Sequence, residues 1–233
     1  MTTSKIQNRN GSSDDLMQKY RTQMGHEFGT VYHALRNEII GLTFRWKEFE
    51  ILYSKKSRVD LLNQAAPFFS FVVQKTLWEN IILSIAKLTE RAKNGEDKSI
   101  TLLLLFGYID DRMFQKTLKP LKKNVLNYSK FSRVLRNQWI AHKDFGQVTG
   151  ENGVTLQWPS AKMIKEFLQA SYALMNAIEF RYLTSTTGYD LAIHSGGALS
   201  LLYTIEAGLR MDQLRLKMAK KGDRSLEDFK SVI

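Results

Sequence analysis

The chain has no cysteine, which excludes disulfides, thiolate metal sites and cysteine redox chemistry. Only three prolines occur among 233 residues, and apolar residues recur mostly three and four apart, a spacing that predicts helices throughout. Long apolar runs are also missing. No stretch reaches the roughly 20 uninterrupted apolar residues needed to cross a bilayer. Leu102–Phe106 is too short, and Phe68–Leu88 is interrupted by Gln74, Lys75, Glu79 and Asn80. The opening residues MTTSKIQNRNGSSDD are polar and lack the apolar core of a secretory signal. A cytoplasmic protein with no membrane partner is therefore expected.

Familiar catalytic signatures are absent as well. Neither a Gly-x-x-x-x-Gly-Lys-Ser/Thr loop nor a Gly-x-Ser-x-Gly elbow occurs, which disfavours a P-loop NTPase and an α/β-hydrolase. The four histidines stand at 26, 33, 142 and 194. His26 and His33 are seven apart, but no His-Glu-x-x-His pattern accompanies them, so no metal site and no cofactor is expected. His26, His33 and His194 read as surface or satisfied polar residues.

What the chain has in excess is positive charge. Its 34 basic and 23 acidic residues give a formal charge of +11, which points to a polyanionic partner. Between Asp111 and Phe145 lie Arg112, Lys116, Lys119, Lys122, Lys123, Lys130, Arg133, Arg136 and Lys143, against only Asp111 and Asp144. Such a strip is either a solvated face or a track for phosphates.

Residues 1–13, rich in Ser, Thr, Asn and Gly, are expected to be disordered. Ser13 or Asp14 then caps a long helix to about Tyr53, carrying Met17, Tyr20, Met24, Phe28, Val31, Leu35 and Leu42. Gly25, Gly29 and Gly41 either weaken it or permit close packing. A second helix is predicted from Asp60 to about Arg91, kinked at Pro67 and buried nearly all round, with Thr76, Asn80, Ser84, Lys87 and Arg91 as its solvated edge. After a loop at 94–97 come a short helix from Ser99 to about Phe106 and a basic helix capped by Asp110 or Asp111, interrupted near Pro120. The next helix should run from Lys130 to His142, with Leu135 and Trp139 in the core. Glycines at 146, 150 and 153 mark a loop, and Val154–Trp158 is a candidate extended segment. Ser160 caps a helix to about Leu183. A linker over 184–197 leads to a last helix, 198–220, packed on the body.

Within the Lys130–His142 helix, Arg136-Asn137-Gln138-Trp139-Ile140-Ala141-His142-Lys143-Asp144 concentrates an arginine, an amide, a histidine and a carboxylate. RNA cleaves when its 2′-hydroxyl attacks the adjacent phosphate in line. A catalyst must then move two protons and stabilise charge on the phosphorane. Histidine, with an unperturbed pKa near 6.5, serves either proton transfer, each typically worth ~10²- to 10⁴-fold. A guanidinium grips two non-bridging oxygens. On this reading Arg136 is the phosphate clamp and His142 the acid or base. Asp144 orients His142, and Arg133 adds phosphate contact or faces solvent. Lys119, Lys122, Lys123, Lys130 and Lys143 follow the RNA backbone. The bland alternative is that Arg136 and His142 only cap carbonyls and pair with Asp144.

The stretch resembles the Arg-Asn-x-x-x-x-His signature of HEPN domains, helical nucleotide-binding and ribonuclease domains of toxins and antiviral systems. Leu135, Ala141 and Asp144, with the segment FFSFVVQKTLWENIILSIAKLTE at Phe68–Glu90, are similar to the AbiU-type abortive-infection branch. The resemblance implies an all-α, HEPN-like helical bundle over 14–183, followed by a linker and C-terminal helical segment over 184–233. It implies a metal-independent, toxin-like ribonuclease effector of an abortive-infection or toxin–antitoxin system, with RNA as substrate and, in the toxin–antitoxin case alone, an antitoxin protein as a further partner. Asn137, the amide of that signature, bonds phosphate, ribose or the histidine. Arg136 and His142 are six apart, roughly 120° out of phase on an ideal helix. Either His142 lies where the helix unwinds, or the site is shared between two subunits; the resemblance implies the second, a homodimer. A non-catalytic RNA- or nucleotide-binding module and a protein-interaction subunit remain as alternatives.

Overall fold

The computed structural model describes residues 13–91, 99–137, 159–191 and 196–220. Among them are eight α-helices and no strand, so the all-α expectation holds. Two units can be distinguished, one of Met1–Thr43 with Glu79–Ala192 and the other of Phe44–Trp78 with Ile193–Ile233.

The first expected helix is two. α1 (Ser13–Met24) stops at Gly25, whose φ of 91° lies in the left-handed region that a glycine adopts without a Cβ penalty, and α2 (His26–Tyr53) follows. Gly29, one turn into α2, has the packing role anticipated for the glycines. A Cβ there would lie 2.5 Å from the backbone of Tyr20 and Arg21, so the two helices touch main chain to main chain. Tyr20, Met24, Phe28, Val31, Leu35 and Leu42 are all buried as the periodicity requires.

The second expected helix also divides. α3 (Lys56–Ala65) ends before Pro67, and α4 (Pro67–Leu88) starts on the proline itself. Proline has no N–H to lose at a first helical position, so a start there costs less than the predicted kink. The expectation that this helix is buried all round is wrong for its first turns. Phe68 is 79% exposed and Phe69 65% exposed, with Phe71 and Val72 also exposed. Burial begins in earnest at Ile81, Ile82 and Ile85. The polar edge is placed as read, with Thr76, Asn80, Lys87 and Arg91 exposed and Ser84 half-buried.

The short helix expected from Ser99 is instead a 3₁₀ segment, Leu104–Tyr108. Asp111, one of the two candidate caps, accepts from the backbone N–H groups of Met113 (2.9 Å) and Phe114 (3.1 Å) and opens α5 (Arg112–Tyr128). Pro120 does not interrupt α5. Its ring lies on the exposed side, while Leu118 and Val125 are buried and α5 packs along α7 (Ala161–Leu183). That burial offsets the missing N–H. α6 (Lys130–Leu135) follows after Ser129. Ser160 caps α7 as expected, accepting from Met163 N–H at 3.4 Å, and α7 ends at Leu183 with Thr184 in the left-handed region.

In the first unit, α7 supplies a buried carboxylate, Glu179, which accepts from the hydroxyls of Tyr32 (3.1 Å) and Thr187 (2.8 Å) and, at longer range, Tyr20 and Ser185. In the second, α8 (Ala198–Lys220) packs on α3 around Leu52, Leu62, Ala198 and Leu202. The Glu48 carboxylate accepts the Ala198 N–H at 2.5 Å and so caps α8. The expectations for residues 1–12, the loop at 94–97, Trp139, the extended segment at 154–158 and His194 lie outside the described residues.

Candidate functional site

α6 is amphipathic over a very short length. Ser132 and Leu135 are buried, and the Ser132 hydroxyl donates to the Ser129 carbonyl at 2.7 Å. Leu135 is thus a core residue, as expected, and it fixes which way the neighbouring arginines face. Regular α-winding ends at Leu135; Arg136 and Asn137 continue in a π-type turn. Such wide turns occur mostly as single turns and often at functional sites. A phase of roughly 120° holds only for an unbroken α-helix, and the winding already changes at Arg136.

Arg133 and Arg136, one turn apart, both meet the carboxyl end of α4. The Arg133 guanidinium donates to the Thr89 carbonyl oxygen. The Arg136 Nη1 is paired with the Glu90 carboxylate, both side chains being about one-third exposed. Arg136 Nε donates to the side-chain oxygen of Asn137 at 3.1 Å. Asn137 therefore bonds the arginine itself, and its expected partner His142 lies outside the described residues. Arg133 is exposed, as one of its two expected roles requires, and it also holds main chain.

The strip on α5 has a definite geometry. Arg112, Lys116, Lys119 and Lys123 are exposed, and at 3.6 residues per turn they fall within an arc of about 60° over about 16 Å. Lys130, at the start of α6, is exposed too. Lys122 stands off this ridge: it is half-buried, with its ammonium 4.3 Å from the centre of the Phe106 ring. Asp111, one of the two acids in the strip, is occupied with capping and with Arg181 at 3.3 Å. The Phe114 N–H, then the Met113 N–H and Arg181, hold its carboxyl below the usual range.

His142, Lys143 and Asp144 lie outside the described residues. Of the predicted chemistry, the structure places the arginine, its amide neighbour and the α5–α6 cations. Sequence reasoning missed Glu90 and Thr89. Glu90 stands two residues past the end of α4, and nothing in helical periodicity connects it to a residue 46 positions later. Of the remaining histidines, His26 is exposed, and His33 is buried beside the Tyr20 ring with its pKa lowered by burial, then by Arg36. Among the described residues no group of three or more His, Cys, Asp or Glu side chains is placed to hold a metal ion, and no helix is long and apolar enough to cross a membrane.

Among curated proteins and solved structures nothing matches the chain. The family model HEPN_AbiU2, described as AbiU2, matches residues 26–198, a span that contains Arg136–Asp144 and the segment ending at Glu90. That span covers most of the chain and leaves nearly all of α8 beyond it. The chain belongs to the AbiU2 family of HEPN domains, the abortive-infection branch.

Proposed function

We propose that this protein is a metal-independent endoribonuclease, the toxin-like effector of an abortive-infection or toxin–antitoxin system. The observation that carries the reading is the seating of Arg136. The guanidinium of the intact Arg136-Asn137…His142 motif is held from two sides, inside the family match, and on the same stretch of chain as a basic ridge.

The reaction asks for little beyond these groups. The ridge from Arg112 to Lys123, with Lys130, carries the backbone of a single strand, and Lys143 extends it. Arg136 holds a non-bridging oxygen of the scissile phosphate and stabilises the charge that builds on the phosphorane. A base removes the 2′-hydroxyl proton, the 2′-oxygen bonds to phosphorus, and the 5′-oxygen leaves with a proton from an acid. The products are a 2′,3′-cyclic phosphate and a 5′-hydroxyl. In a two-fold homodimer the two copies of His142 divide the two proton transfers, Asp144 holding each imidazole in its orientation.

Incubation with RNA in excess EDTA tests this. Cleavage should persist. Activity that vanishes with chelation and returns with magnesium would contradict the Arg/His mechanism. The exposed ridge also suits a second reading, an RNA-binding module without catalysis. Tight, salt-sensitive RNA binding with no cleavage under any condition would favour it.

A further inference from the structure

We propose that Glu90 is the positioning residue for Arg136, a role that rests on the ribonuclease reading. Guanidinium is a rigid planar fork of five N–H donors. Its use as a phosphate clamp depends on which edge it presents. In this structure the Nη1 corner is paired with Glu90 and the Nε edge is bonded to Asn137. Among the described residues the Nη2 corner makes no bond, so it is the donor assigned here to a phosphate oxygen.

The surroundings make this an anchored orientation. α6 is tied to the end of α4 at a second point, where Arg133 bonds the buried main chain at Thr89. Thr89 is itself fixed, its hydroxyl donating to the Ile85 carbonyl at 2.9 Å. The carboxylate that steers Arg136 is the very next residue. Arg136 and Glu90 are both partly exposed, and a pair of that kind adds little to folding stability. Its main consequence is therefore geometric.

A carboxylate beside a phosphate-binding arginine has two opposed effects. It spends part of the arginine's attraction, which weakens RNA binding. It also fixes the fork, which favours the transition state. A positioning role predicts that loss of Glu90 slows the chemical step without weakening binding. A mere electrostatic competitor predicts tighter binding and faster cleavage.

The experiment compares wild type with Glu90→Ala, Glu90→Gln and Glu90→Asp in three measurements. The first is the single-turnover cleavage rate at saturating RNA. Glu90→Ala should lower it roughly 10- to 100-fold, the range for a misplaced group at a reacting centre. Glu90→Gln, whose amide oxygen still accepts, should lose less, and Glu90→Asp should retain the most. The second is affinity for an uncleavable 2′-O-methyl RNA, which should stay equal or tighten by no more than about fivefold, as one partly exposed charge allows. The third is the Arg136 Nε–H resonance, assigned by its loss in Arg136→Lys, which should move in Glu90→Ala. An unmoved resonance, or a rate unchanged or raised in folded Glu90→Ala, would overturn the proposal. If Glu90→Ala does not fold, Glu90→Gln decides by the same readouts. If wild type cleaves no RNA, the ribonuclease reading fails, and the resonance alone decides whether Glu90 orients Arg136.

Discussion

The hydroxyl of Tyr32 donates to the buried carboxylate of Glu179 at 3.1 Å, joining α2 to α7 across the first unit. The carboxylate also accepts from Thr187 at 2.8 Å, Ser185 at 3.3 Å and Tyr20 at 3.4 Å, so it gathers α1, α2 and the turn after α7 around one charge. Removing one member of a buried network leaves its partners unsatisfied. Glu179→Ala should therefore cost about 3–5 kcal/mol, as for breaking a buried charged network, and Glu179→Gln less. Urea denaturation of each variant measures this.

Alkaline pH should loosen the same region. Burial, then the nearby Glu179, pushes the Tyr20 pKa from 10.0 up to about 12; burial also raises Tyr32 and Tyr189. An unfolded chain gives up these protons near pH 10 while the folded chain keeps them. Their contribution is complete below pH 10 and is lost as pH rises through about 12 for Tyr20. Tyr20→Phe should flatten the fall in thermal midpoint over that window, and tyrosinate absorbance should rise together with unfolding.

Gly29→Ala should destabilise the protein despite alanine's better helix propensity. The added methyl would sit 2.5 Å from Tyr20 and Arg21 main chain, which cannot swing aside as a side chain would. Overpacking of this sort costs typically about 1–3 kcal/mol. A thermal midpoint equal to or above wild type would show that α1 does not pack so closely.

Salt dependence tests the ridge. Each phosphate neutralised on a single strand contributes roughly −0.7 to the log–log slope of RNA affinity against salt. Lys119→Gln and Lys123→Gln should each reduce the slope by about that amount. Lys122→Gln should change it less, because the Lys122 ammonium lies over Phe106. Equal effects at all three positions would put Lys122 on the phosphate track.

Local signals in the sequence were reliable where one residue decides a boundary. Ser160 and Asp111 cap the helices they were read to cap, because a short oxygen-bearing side chain before an amphipathic run has few other uses. Pro120 shows the limit of the same reasoning, since packing of Leu118 and Val125 keeps α5 intact through it. Apolar composition misled at Phe68–Val72, where hydrophobicity alone does not reveal exposure. The Arg136 motif was legible as a string of residue types. Its seat on Glu90 was not, because that contact joins the end of one helix to another far along the chain.

RNA cleavage by 2′-hydroxyl attack at Arg136 and His142 would leave a distinctive 3′ end. The most direct test is the mass of the 3′ ends produced from a defined single-stranded RNA by wild type, Arg136→Ala and His142→Ala, each confirmed folded. Wild type should yield 2′,3′-cyclic phosphates, and both variants should leave the RNA intact. Products ending in a 3′-hydroxyl, or undiminished cleavage by either variant, would rule out this mechanism.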